Sequence, residues 1–173
     1  RRLADDLLAS YPIGAVPASP PDLSRGAALY AQQCAACHGP SGHGDGLAAA
    51  GLDPPPIAFT DAARAAQRTP FALYEVISQG VPGTAMASFA GLSEADRWAL
   101  AFYVGSLAYS PQARTDGEAL WRQNADAHGR IPTLEALTRT READLAAMLS
   151  AEQAHAIVAY LRSRPQAVND AVA

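Results

Sequence analysis

The chain alternates helix-length stretches, apolar on one side, with runs dominated by glycine and proline. Ala28, Leu29 and Tyr30 give an apolar side to a helix expected over 25–33, for which Ser24 is a good N-cap. Thr69 and Pro70 read as N-cap and first helical residue of a helix that carries Phe71, Leu73, Tyr74, Val76 and Ile77 inward and stops at Gly80. Ser93, with Asp96 three residues on, resembles a capping box opening a helix over 94–107. That helix places Trp98 and Phe102 on one face and leaves Gly105 for close packing against another helix. Further helices are expected over 140–149 and over 151–164, the latter opened by Ser150 with Gln153 in the capping-box position. Between them, Gly39, Gly42, Gly44, Gly46, Gly51 and the run Pro54-Pro55-Pro56 make 39–56 a folded loop, and 81–91 is irregular. A short charged helix over 2–9 and a proline-rich arm over 11–22 precede all of this. The pattern is that of an all-α protein.

The later part of the chain echoes the earlier one. Gly26-Ala27-Ala28-Leu29-Tyr30 returns as Gly117-Glu118-Ala119-Leu120-Trp121. Allowing one deletion, Gln33-Cys34-Ala35-Ala36-Cys37-His38-Gly39 lies over Asn124-Ala125-Asp126-Ala127-His128-Gly129, so the histidine survives and both cysteines are gone. The expected organisation is an N-terminal helix and linker at 1–22, a first lobe at 23–110 and a worn second copy at 111–173.

Composition narrows the partners. A chain of 173 residues, 49% of them hydrophobic, can bury a sizeable core, and a formal net charge of −4 argues against binding nucleic acid. All 13 basic residues are arginines, so no ring of lysines steers a partner. No apolar run approaches the roughly 20 residues needed to span a bilayer, and residues 1–10 lack the apolar core of a signal peptide. The expectation is a soluble piece whose targeting or membrane-anchoring segments lie outside it.

The chemistry concentrates at Cys34-Ala35-Ala36-Cys37-His38. This spacing lets two thiols add to the two vinyl groups of haem while the next residue, His38, ligates the iron. Three other readings compete. A thioredoxin-like dithiol wants a βαβ setting, a zinc site wants further thiols or paired histidines, and a disulfide across two residues is strained. The second axial ligand is best sought in Met86, in the irregular stretch between two helices. Its rivals are Met148, expected inside a helix in a buried packing role, and His43, too close to His38 to cross the haem plane easily. A His38/Met86 pair leaves the iron no open position and favours the ferrous state, which points to electron transfer rather than chemistry at the metal. A carbonyl of the Pro54-Pro55-Pro56 turn is expected to accept the Nδ1–H of His38. Pro54, Pro55, Arg68, Tyr74 and Trp98 are candidates for haem packing or propionate contacts.

Helix, C-x-x-C-H, glycine-rich loop, proline turn, helix, methionine loop and closing helix, in that order over about 23–109, resemble the class I cytochrome c family. His38-Gly39 through Gly42-His43-Gly44-Asp45-Gly46, Gly51-Leu52-Asp53-Pro54-Pro55-Pro56, Gly83-Thr84-Ala85-Met86 and Asp96-Arg97-Trp98-Ala99-Leu100-Ala101-Phe102-Tyr103 look closer still to one subgroup. It is the periplasmic cytochrome segment of bacterial proteins that fuse a c-type cytochrome to a membrane iron permease. The resemblance implies one covalent haem c, periplasmic location, a redox partner protein or permease domain, and ferrous or ferric iron as the species acted on. Membrane attachment then runs only through segments outside this chain. The expected role is carrier rather than enzyme. Two alternatives stand beside it: an electron-transfer subunit of another respiratory or dehydrogenase complex, and a haem peroxidase or ferroxidase with a displaceable methionine. A third gives the second lobe the main role, as a platform involving Trp121 and His128.

Overall fold

A computed structural model describes residues 16–170, and every regular element among them is a helix. The helix expected over 2–9 lies outside the described residues. Residues 23–110 contain α1 (Leu23–Gln33), α2 (Ala35–His38), α3 (Ala62–Ala66), α4 (Pro70–Gln79) and α5 (Glu94–Ser106), with one 3-10 turn at Leu47–Ala49. The rest contains α6 (Pro111–Gln123), α7 (Ala125–Arg130), α8 (Leu134–Arg139), α9 (Glu142–Ala146), α10 (Ala151–Ser163) and α11 (Ala167–Asp170).

Most helices start where a side-chain cap lets them. Thr69 and Ser93 accept hydrogen bonds from the N–H groups of Ala72 and Asp96, and Ser150 and Gln153 form the full reciprocal box. Two caps differ from expectation. Helix α1 begins at Leu23 because the Asp22 carboxylate accepts from the N–H of both Ser24 and Arg25, a reach the Ser24 hydroxyl does not have. Asp96 does not complete a box with Ser93; its carboxylate takes two hydrogen bonds from Arg25, at 2.7 and 2.9 Å, and so ties α5 to α1.

Helix α1 crosses α5 at Gly26, where a Cβ would collide with the carbonyl of Ala99 and the Cβ of Tyr103. Helix α6 crosses α10 in the same way at Gly117, against Ala156 and Tyr160. In both crossings the absent side chain lets backbones meet, and the partner residues sit at i and i+4 on the facing helix. The core runs through both crossings. Trp98, Leu100, Phe102 and Tyr30 lie buried in the first part, and Trp121, Ile131, Leu137, Leu145 and Ile157 in the second.

The two parts pack on one another. Arg114 donates to the Ser106 carbonyl at 2.9 Å, and the Arg139 guanidinium lies 5.1 Å from the Phe71 ring centre. Arg162, at the end of α10, buries its side chain against the first part almost completely. Met148 is not the buried helical residue expected. Helix α9 ends at Ala146, the N–H groups of Met148 and Leu149 both return to the Leu145 carbonyl, and Met148 is left 53% exposed.

Candidate functional site

The site grows from the end of α1. Cys34 closes that helix, and the short turn of α2 carries Cys37 and His38 in its last residues. Tyr30, one turn before Cys34 and fully buried, donates its hydroxyl to the Gly39 carbonyl at 2.7 Å and so holds the chain just past His38. Burial pushes the Tyr30 phenol up to about 12, so it stays a donor. The glycine loop folds back over the same turn: Gly44 N–H reaches the His38 carbonyl at 2.8 Å and Gly46 N–H the Cys37 carbonyl at 3.1 Å.

His38 is fixed from two sides. Its ring stacks on Phe59 with centres 4.5 Å apart, and its Nδ1 lies 3.1 Å from the Ile57 carbonyl. A carbonyl only accepts, so Nδ1 carries the hydrogen and Nε2 keeps its lone pair for a metal. The acceptor is therefore Ile57, one residue past the proline run in which it was sought. Three successive prolines carry the chain past the ring before a carbonyl faces it.

Burial, with the neighbouring Cys37 thiol second, pushes the Cys34 thiol up to about 11. A redox dithiol needs the opposite shift. Cys34 and Cys37 are not joined as a disulfide. Among the described residues no three His, Cys, Asp or Glu side chains gather in metal-binding geometry.

Cys34, Cys37 and His38 open onto a cavity of about 490 Å³, within the range of small-molecule and cofactor sites. Pro54, Pro55, Arg68 and Met86 line it with them. Leu52, Ile57, Phe59, Leu73, Val76, Ile77, Val81, Phe89 and Val104 make its walls apolar. Tyr74 and Trp98 do not reach it; they stack on each other in the core behind, with ring centres 4.2 Å apart. Phe59, Arg64 and Arg162 also line it and were not singled out from sequence. Arg64 sits on a short helix with no periodicity to read, and Arg162 is distant along the chain.

Met86 is presented by a tied loop. The Thr84 hydroxyl donates to the Val81 carbonyl at 2.8 Å and accepts the Met86 N–H at 3.1 Å, while Val81 N–H returns to the Met86 carbonyl at 3.0 Å. Gly80 makes this possible. Its φ of +71° suits glycine, and a Cβ there would stand 2.7 Å from the Met86 carbonyl oxygen. The Phe89 N–H on the Ile77 carbonyl, at 3.0 Å, then anchors the far end of the loop to α4.

The residues present fit a covalently held haem. Two uncombined thiols stand beside a tautomer-fixed imidazole, Met86 lines the same apolar cavity, and exposed arginines line it where propionates could pair. Residues 21–104 match the family model described as "Cytochrome C oxidase, cbb3-type, subunit III". No curated protein matches the chain. A solved structure titled "Kuenenia stuttgartiensis reducing HAO-like protein complex Kustc0457/Kustc0458" has a chain 18% identical to this one. The likeness covers 87% of this chain and 99% of that one with a TM-score of 0.45, a superposition too loose to add to the assignment. Residues 21–104, which carry the motif and most of the cavity lining, are thus similar to domains of the cytochrome c type, a family that implies covalently bound haem c.

Proposed function

We propose that this chain is a periplasmic mono-haem c-type cytochrome that passes single electrons. The observation that carries the reading is the Ile57 carbonyl on His38 Nδ1, which leaves Nε2 for iron in the same cavity as Met86. Bound haem supplies a one-electron ferric/ferrous couple, raised in potential by a methionine ligand. Cys34 and Cys37 tether it through thioethers, so affinity does not depend on enclosing the whole ring. The apolar walls would keep water from bound haem, and the Thr84 clasp would hold Met86 in place as a ligand alongside His38. Arg64 and Arg68, exposed at the cavity edge, are suited to pair with propionates.

In the same proposal, residues 111–173 form a degenerate, haem-free cytochrome-like lobe. It is supported by the matched glycine crossings at Gly26 and Gly117 and by His128, which packs its ring edge-on against Trp121 at 4.3 Å. The electrons come from ferrous iron oxidised beside a membrane iron permease domain, a step supported by the subgroup wording around His38, Pro54 and Met86. Among the described residues no helix is long and apolar enough to cross a membrane.

The test is spectroscopic. Matured protein is expected to gain the mass of one haem, to show a low-spin α band when reduced and a weak near-infrared sulfur-to-iron band when oxidised, and to bind carbon monoxide poorly. Rapid, complete carbon monoxide binding would favour an open-site peroxidase or ferroxidase. Mixing the reduced and oxidised forms with ferric and ferrous iron tests the iron step; no haem redox change at any pH would remove it.

A further inference from the structure

The most unusual charge in the molecule belongs to neither the motif nor the loop. Arg162 comes from the last turn of α10, is 1% exposed, and lines the cavity built by the first lobe. Its guanidinium donates to the carbonyls of Ala65 and Gly105, at 3.3 and 3.4 Å, and of Arg68, while Nε has no hydrogen-bond partner among the described residues. It also lies 5.6 Å from the Tyr109 ring centre.

All of its partners are neutral. The acid that acts on it from this side is Glu142, to which Tyr109 is tied: the phenol donates to its carboxylate at 2.9 Å, and His155 Nδ1 lies 3.2 Å from the other oxygen. Burial lowers the basicity of Arg162, with Tyr109 and Glu142 pulling it back, but a guanidinium does not lose its proton in proteins. A full positive charge therefore sits in the cavity wall with no carboxylate paired to it among the described residues. The other charged groups lining the cavity, Asp61, Arg64 and Arg68, are exposed, and solvent and salt weaken their fields within about 8–10 Å. Arg162 has no such screen.

We infer that Arg162 is the charge by which the C-terminal lobe raises the reduction potential of the site in the N-terminal lobe, a role that rests on the haem reading above. When one electron enters from a one-electron donor, no bond is made or broken, no proton moves, and the site becomes one unit more negative. An unscreened cation in the wall favours that state, and Glu142 behind it opposes the effect. Arg162 is a positioning residue for charge, and it gives the haem-free lobe a function in the redox site itself.

The experiment is an optical redox titration of the haem-loaded chain, residues 1–173, with soluble mediators, comparing wild type with Arg162→Met, Arg162→Lys and Glu142→Gln. At fixed ambient potential, Arg162→Met is expected to cut the ratio of reduced to oxidised protein about tenfold, a midpoint lower by roughly 59 mV for one electron. Arg162→Lys is expected to stay near wild type, and Glu142→Gln to move the midpoint upward. The sulfur-to-iron band should persist in all three. An unchanged midpoint in Arg162→Met, an equal fall in Arg162→Lys, or a fall only where that band is lost overturns the assignment. If Arg162→Met does not fold, Glu142→Gln decides: a rise supports the role and no change removes it. Wild type lacking haem or the sulfur-to-iron band fails the haem reading, is seen before any midpoint is measured, and takes this role down with it.

Discussion

Single side chains set the terms of this site, and several were not legible before folding. The gathering of Cys34, Cys37 and His38 at one cavity was legible, because their spacing places all three within a turn of chain. The Ile57 carbonyl and Arg162 were not: one depends on where a loop turns, the other on two distant segments meeting. Asp96 shows the same limit, since its sequence position suggested a cap while its carboxylate went to Arg25. That pairing holds the Asp96 carboxyl below the usual carboxylate range, chiefly through the Arg25 hydrogen bond. A depressed folded value means the pair stabilises above the unfolded value of about 3.9 and stops doing so as pH falls through the folded one. Asp96→Asn is therefore expected to lower the urea midpoint near neutrality, with the gap from wild type closing below about pH 4. Gly117→Ala drives a Cβ into the Ala156 carbonyl and is expected to cost about 2 kcal/mol or more in denaturant melts.

At the level of elements, helices with strong punctuation were readable. Thr69-Pro70, Ser93 and the Ser150/Gln153 box each open a helix of ten or more residues. Helices α3, α7, α8 and α9 run only five or six residues, too short for an apolar period to show, and α9 closed before Met148 where a longer helix was expected. The methionine loop was recognised only as irregular, yet its shape is specific. Thr84 supplies both a donor and an acceptor to it, so Thr84→Val is expected to cost about 1 kcal/mol and to weaken the hold on Met86. Haem-loaded Thr84→Val should bind carbon monoxide faster than wild type in stopped-flow mixing while keeping the α-band position of the bound haem. Equal rates would mean that Gly80 and the Val81 hydrogen bond hold the loop alone.

The molecule as a whole carries a formal charge of −4 and no lysine. Its field reaches about 30 Å at 0.01 M ionic strength but only about 8 Å at 0.15 M. Reduction by a small anionic donor is expected to quicken as salt is added, and reduction by a cationic donor to slow, both read as second-order rate constants across that range. A salt-independent rate for both would place the entry point away from the net field. The earlier and later parts of the chain are joined less by surface ion pairs than by Arg162, whose acceptor carbonyls belong to Ala65 and Arg68 on one segment of the cavity wall and to Gly105 on α5. Because Arg162 meets these carbonyls across 57 to 97 residues of chain, the inner wall of the cavity is complete only once the last long helix has docked, and no fragment ending before that helix can reproduce it.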